Sequence, residues 1–234
     1  MYPKPNLSPR LLAAAELVRE GAFIADVGTD HAYLPIYLCL EERIRGGVAS
    51  DINRGPIERA KENIEKYGLS ERISTELTDG LCNIEKYSPE DILVLGMGGE
   101  LIASIIDAAA WTKNSDIRLC LQPMTHAEHL RKYLYENGFT VIDERIVIEG
   151  DKIYQVILAQ FCGGAPSHES ISCAELYLGK KNIERGGNEL VSLANALLKK
   201  LERRALGLDS AGQDTSEINR LIDEIKEYTE NKEV

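Results

Sequence analysis

The segment IADVGTDHAYLP (Ile24 to Pro35) sets Gly28 between Asp26 and Asp30 and follows the second aspartate with His31. Apolar residues lead in and out, as in a strand that feeds a ligand loop and then a helix. Three more strand-like runs end in comparable residues: SDIN (Ser50–Asn53), TDGL (Thr78–Leu81) and GMGGE (Gly96–Glu100). Asp and Gly are good turn residues, so one such end says little. Four in order form a constellation, with Asp51 lying 23 residues beyond Gly28. The loop lacks the three-glycine spacing of a dinucleotide fingerprint. A pyrophosphate at the start of the first helix would meet Asp30 and be repelled by roughly 1 kcal/mol or more at ~4 Å. S-adenosylmethionine (AdoMet) has no phosphate and carries sulfonium and ammonium charges, which carboxylates favour. The chemistry therefore assigns Asp26, Gly28, Thr29, Asp30 and His31 to AdoMet rather than to NAD. Asp51, with Ile52 and Asn53, stands where an acid holds ribose hydroxyls. Asp79 can accept from an exocyclic adenine amine, and Gly80 admits close backbone approach. Gly96, Met97 and Gly98 form the wall between cofactor and substrate, with Met97 as an adaptable apolar surface.

Holding four strand ends together requires a parallel sheet. From Leu7 to Phe161 apolar strand-like runs alternate with amphipathic helical ones, which implies helices on both faces of the sheet. Ser8 and Pro9 read as a helix start, Pro56 as another, and Gly68 and Gly138 as helix ends. The alternation breaks at FTVIDERIVIEGDKIYQVILAQF, two β-rich runs joined by EGDK, a hairpin signature. Five strands plus this pair give an α/β, Rossmann-like seven-stranded sheet, the layout of class I methyltransferases. Beyond CGGAPSHES the sequence turns helical: Leu190, Leu193, Leu197 and Leu201, then Ile218, Leu221, Ile222 and Ile225, follow helical spacing. The expected division is a methyltransferase domain over 1–163 and a small α-helical coiled-coil hairpin over 164–234.

The chain of 234 residues has net charge −11 and pI about 5.0. That opposes diffuse attraction to nucleic acid but permits a local basic patch. No apolar run reaches the ~20 residues of a membrane span, and no signal-peptide pattern opens the sequence. Five scattered cysteines without C-x-x-C suit the cytoplasm. His126 and His129 stand three apart without companion ligands in sequence, so no metal is expected.

LSPRL, ADVGTDHAYLP, GPIERAKENI, TDGL, LGMGGELI, LQP, LRKYLYENGF and DKIYQVI, in this order over residues 5–162, resemble the TrmK family. Members methylate N1 of adenosine 22 in bacterial tRNA with AdoMet. Asp51 stands where a glutamate is common, and TD precedes Gly80 where GD is usual. The resemblance implies AdoMet as cofactor, tRNA as partner, and no obligate protein partner. It makes Asp30 the first catalytic candidate, as base acceptor or as cofactor ligand, with both roles open, and Glu100 the second. Arg10, Tyr33, Gly99, Gln122, Pro123 and Tyr154 become substrate residues. Lys199, Lys200, Arg203 and Arg204 are the cations expected to meet phosphate, in preference to Lys4, Arg131, Lys132, Lys180, Lys181 and Arg185. Two alternatives stay open: an AdoMet methyltransferase acting on another RNA or a small molecule, and a noncatalytic AdoMet-binding scaffold.

Overall fold

The computed structural model describes residues 3–163 and 171–229. The parallel strands are β1 (Ala22–Val27), β2 (Ile44–Asp51), β3 (Ile73–Leu77), β4 (Asp91–Gly98) and β5 (Arg118–Thr125). Helices α1 (Pro9–Leu17), α2 (Tyr33–Leu40), α3 (Arg54–Lys66), α4 (Gly99–Asp107) and α5 (Ala127–Glu136) alternate with them. The hairpin β6 (Phe139–Glu149) and β7 (Lys152–Phe161) completes a seven-stranded sheet of order β3-β2-β1-β4-β5-β7-β6, with β7 antiparallel to both neighbours. Glu149 pairs with Lys152 across the EGDK turn, where Gly150 takes φ +59°. The order reverses between β1 and β4, so the crevice for a ligand opens beyond their carboxyl ends.

β1 is apolar on nearly every position because helices cover both faces of the sheet. One core cluster gathers α1, α2 and α3 on one face; the other gathers α4 and α5 on the opposite face. Gly68 and Gly138 follow α3 and α5 in left-handed conformation, as expected of helix-ending glycines. Two helix starts differ from expectation. The Ser8 hydroxyl makes no cap bond, so Pro9 alone marks the start of α1. Pro56 is the third residue of α3, a position that still needs no intrahelical N–H.

The helical part holds α6 (Cys173–Leu178), α7 (Lys180–Arg185), α8 (Asn188–Ser210) and α9 (Ser216–Lys226). The last two form the expected hairpin, joined through Leu193, Leu201, Leu221 and Ile225. The two short helices before it were not expected, and they separate Lys180, Lys181 and Arg185 from the α8 cations. A capping box, Ser172 with Glu175, starts α6. The boundary expected at 163/164 adjoins residues 164–170, which lie outside the described residues.

A buried polar node docks these helices on the sheet. Arg131 is fully buried rather than exposed to phosphate. It donates to Glu144 and Gln155 at 2.7 Å each, and to the carbonyls of Leu176 (2.7 Å) and Tyr177 (3.2 Å). The second Glu144 oxygen accepts from the Lys181 amide at 3.1 Å. Arg185 pairs with Asp143 at 2.7 Å. Gly179 is required beside this node, since a Cβ there would fall 2.3 Å from Glu144 Oε2. Ile146 and Ile153 of the hairpin add apolar contact. Arg131→Met should lower stability by about 3–5 kcal/mol in urea unfolding, because it leaves the Glu144 charge buried alone. Adding Glu144→Leu should recover part of that loss.

Candidate active site

The loop after β1 is tied down by its own backbone. The amides of Gly28 and Thr29 both donate to the Ser50 carbonyl of β2, at 2.8 and 2.9 Å. Gly28 takes φ +78°, and a Cβ there would lie 2.1 Å from the Met97 methyl. Glycine is thus demanded twice, by the turn and by the β4 side chain above it. The Thr29 hydroxyl accepts from the Ala32 amide at 3.0 Å, which opens α2.

Asp26 is the unusual group of this loop. Its side chain sits at the end of β1 with the residue 7% exposed, and no ion-pair partner reaches it among the described residues. Burial pushes its carboxyl up to about 6, while a hydrogen bond from Thr29 pulls the other way. A buried acid without a cation, at the mouth of a cleft, is a functional-site signature. The cleft measures about 350 Å³ and brings together Arg10, Asp26, Gly28 to Tyr33, Leu95 and Gly96.

Asp30 faces outward instead, with its side chain 66% exposed. Arg59 of α3 pairs with it at 2.5 Å, and His31 Nε2 lies 3.1 Å away. His31 in turn stacks on Tyr33, ring centroids 5.0 Å apart. The carboxylate of the loop left without an ion-pair partner among the described residues is therefore Asp26, while Asp30 is paired with Arg59. Nothing local in the sequence signals Arg59, which stands 29 residues away on another helix.

On the other side of the cleft, Arg10 donates to Gln122 Oε1 at 3.0 Å and lies over the Tyr154 ring at 5.7 Å. It also borders Gly96, where a Cβ would sit 3.8 Å from its guanidinium. Three expected substrate residues thus form one assembly. Pro123 is buried within β5 and paired in register with Met97, so it backs the wall rather than faces a ligand.

Asp51 ends β2, one oxygen accepting from the Asn53 amide at 2.6 Å and Ile52 exposed beside it. Asp79 and Gly80 line a larger neighbouring groove of about 770 Å³ along α4, with Leu101, Ile105 and Trp111.

Two expected site residues stand elsewhere. Gly99 is buried, and a Cβ on it would fall 2.2 Å from the His126 carbonyl, so it is needed for packing rather than for substrate. Glu100 points to solvent and contacts His129 Nδ1 at 2.8 Å, outside the cleft that Asp26 lines.

Among the cations, Lys4, Lys132, Lys181 and Arg185 are engaged by Glu41, Glu136, Glu184 and Asp143. Lys199, Lys200, Arg203 and Arg204 are exposed on α8. Their i, i+4 spacing makes two adjacent rows on the face opposite Leu198 and Leu201.

A methyltransferase domain model matches residues 7–157. The tRNA (adenine(22)-N(1))-methyltransferase of Bacillus subtilis (strain 168) is 42% identical over 167 residues, 71% of this chain and 70% of that protein. The crystal structure of the B. subtilis M1A22 tRNA methyltransferase TrmK superposes with a TM-score of 0.80 at 34% identity, covering 96% of each chain. M. capricolum TrmK in complex with S-adenosyl-homocysteine gives a TM-score of 0.78 at 25% identity over 95% of this chain and 97% of that one. Against the B. subtilis protein, structural likeness extends further along the chain than sequence likeness, 96% against 71%.

Because Asp26 holds its proton more tightly folded than unfolded, its contribution to stability falls as pH rises from about 4 through about 6. The loss amounts to roughly 3 kcal/mol at most. Asp26→Asn, nearly isosteric, should raise stability by ~2 kcal/mol at pH 8 and leave it almost unchanged at pH 4. Thermal unfolding of the free protein at both pH values measures this.

Proposed function

The chain belongs to the TrmK family of tRNA (adenine(22)-N(1))-methyltransferases, and on that premise we infer how its cleft carries out methyl transfer from AdoMet to N1 of adenosine 22. The observation that carries the reading is Asp26: a buried carboxylate without a cation, at the strand-order reversal, beside a glycine covered by Met97.

These residues fit AdoMet. A carboxylate buried without a partner favours a ligand that brings positive charge. Gly28, Thr29 and His31 shape the loop around it, and Gly96, Met97 and Gly98 close the opposite side. Asp51, with Ile52 and Asn53, is positioned for ribose hydroxyls, its second oxygen being left by the Asn53 bond. Asp79 and Gly80 take the adenine edge. AdoMet, when bound, supplies an electrophilic methyl group.

The protein's task is to hold the adenine N1 lone pair in line with that methyl and to keep water out. N1 is a pairing edge, so the target base must leave its stack. Tyr154 and Tyr33 offer flat surfaces for it. Arg10, fixed by Gln122 and Tyr154, orients the base from the substrate side. Asp30 serves as a positioning residue: paired with Arg59, it holds His31 against Tyr33. Lys199, Lys200, Arg203 and Arg204 grip phosphate, giving an acidic protein one basic stripe. We further place the protein in the cytoplasm with its tRNA and treat 1–163 and 164–234 as its two domains. Among the described residues no helix is long and apolar enough to cross a membrane.

With AdoMet and unmodified bacterial tRNA, the product nucleoside should be N1-methyladenosine, mapped to position 22. Cofactor binding without methyl transfer would favour a scaffold instead, and transfer to a metabolite without tRNA would favour a small-molecule enzyme. AdoMet affinity should weaken by up to about tenfold per unit as pH drops below about 6, as Asp26 takes a proton. Asp26→Asn should remove that dependence in calorimetric titrations. Reversing the four α8 cations to glutamate should raise the KM for tRNA on the order of tenfold and flatten the salt dependence of tRNA binding. The AdoMet Kd should stay unchanged.

A further inference from the structure

Glu100 opens α4 and His126 immediately precedes α5, which carries His129 in its first turn. Gly99 holds the two helix starts in backbone contact, because only glycine lets the His126 carbonyl come so close. His126 adopts φ +54°, and its ring stacks on that of His129 with centroids 5.1 Å apart and planes 13° from parallel. Glu100 Oε1 lies 2.8 Å from His129 Nδ1. One ligand atom from each of the three residues falls within 4.8 Å of the other two.

We propose that Glu100, His126 and His129 form a binding site for a divalent transition-metal ion of the zinc class. Two imidazole nitrogens and one carboxylate oxygen are the donors that such ions take, whereas Mg²⁺ and Ca²⁺ prefer oxygen alone. Bonds of about 2.0–2.1 Å to a tetrahedral ion put ligand atoms ~3.3 Å apart. Exposed side chains close the remaining distance by small rotations. Glu128 stands 3.3 Å from His126 Nδ1. A carboxylate on that nitrogen leaves the other as ligand. Three protein ligands leave a fourth position for water. The ion would replace the Glu100–His129 hydrogen bond and join the starts of α4 and α5. The sequence expectation of no metal rested on the lack of a companion ligand, and folding supplies it from 26 residues upstream of His126.

The test is calorimetric titration of ZnCl₂ into full-length protein stripped with a chelator, with MgCl₂ as comparison. One equivalent of Zn²⁺ should bind, and Mg²⁺ should not. His126→Ala and His129→Ala should each weaken Zn²⁺ by roughly 10–100-fold or more, and Glu100→Gln should weaken it to a smaller degree. Circular dichroism of the variants separates loss of the site from loss of the fold. Since Cys82, Cys162 and Cys173 are exposed thiols, Co²⁺ substitution adds a second readout: the spectrum should lack thiolate charge-transfer bands. Absence of a stoichiometric Zn²⁺ site, a thiolate spectrum, or Zn²⁺ binding that survives both histidine variants overturns the proposal. AdoMet affinity, measured in the same variants, reports on the cofactor cleft separately.

Discussion

A carboxylate is buried where the strand order reverses, and no ion-pair partner neutralises it among the described residues. Asp26 sits at the end of β1 with its carboxyl shifted up to about 6 by burial, helped only by the Thr29 hydroxyl. The surrounding loop is arranged around that constraint. The Ser50 carbonyl takes two loop amides, Gly28 makes the turn, and Met97 closes over it. An arginine placed beside Asp26 would stabilise the free protein and, on the proposed reading, occupy the place of the cationic cofactor. Stability is given up at this point, the usual relation between such sites and function.

The helical part depends on a second buried charge, this one fully paired. Arg131 satisfies Glu144, Gln155 and two carbonyls of α6, while Glu144 accepts from the first turn of α7. Such a pair contributes little net stability, but its geometry fixes how the helices dock. The docked helices carry α8 with its apolar stripe inward and its cations outward. Glu41, Glu184 and Asp143 elsewhere on the surface are committed to other lysines and arginines. A chain of net charge −11 can in this way present a basic stripe without losing its acidic body.

Much of this was legible in the residues. The strand–helix alternation, the glycines closing α3 and α5, and the EGDK turn are local signals, and the sheet follows them. The SCAE capping box before α6 was also present in the sequence, but the runs after it are too short to show periodicity. In the sequence Gly99 reads as a ligand-facing residue, yet the reason for it is a carbonyl from another loop. Arg131 adjoins Lys132 in the sequence, and nothing in that pair tells the buried cation from the exposed one.

The sequence by itself determined which elements form and which residues crowd the strand ends, because periodicity, turn preference and capping act between neighbours a few positions apart. Only the tertiary structure decided what each charge does. Asp30 is answered by Arg59, Asp26 is left alone, Arg131 is enclosed, and Glu100 meets two histidines. Those outcomes depend on burial and on partners from distant segments, and both exist only once the layers have packed.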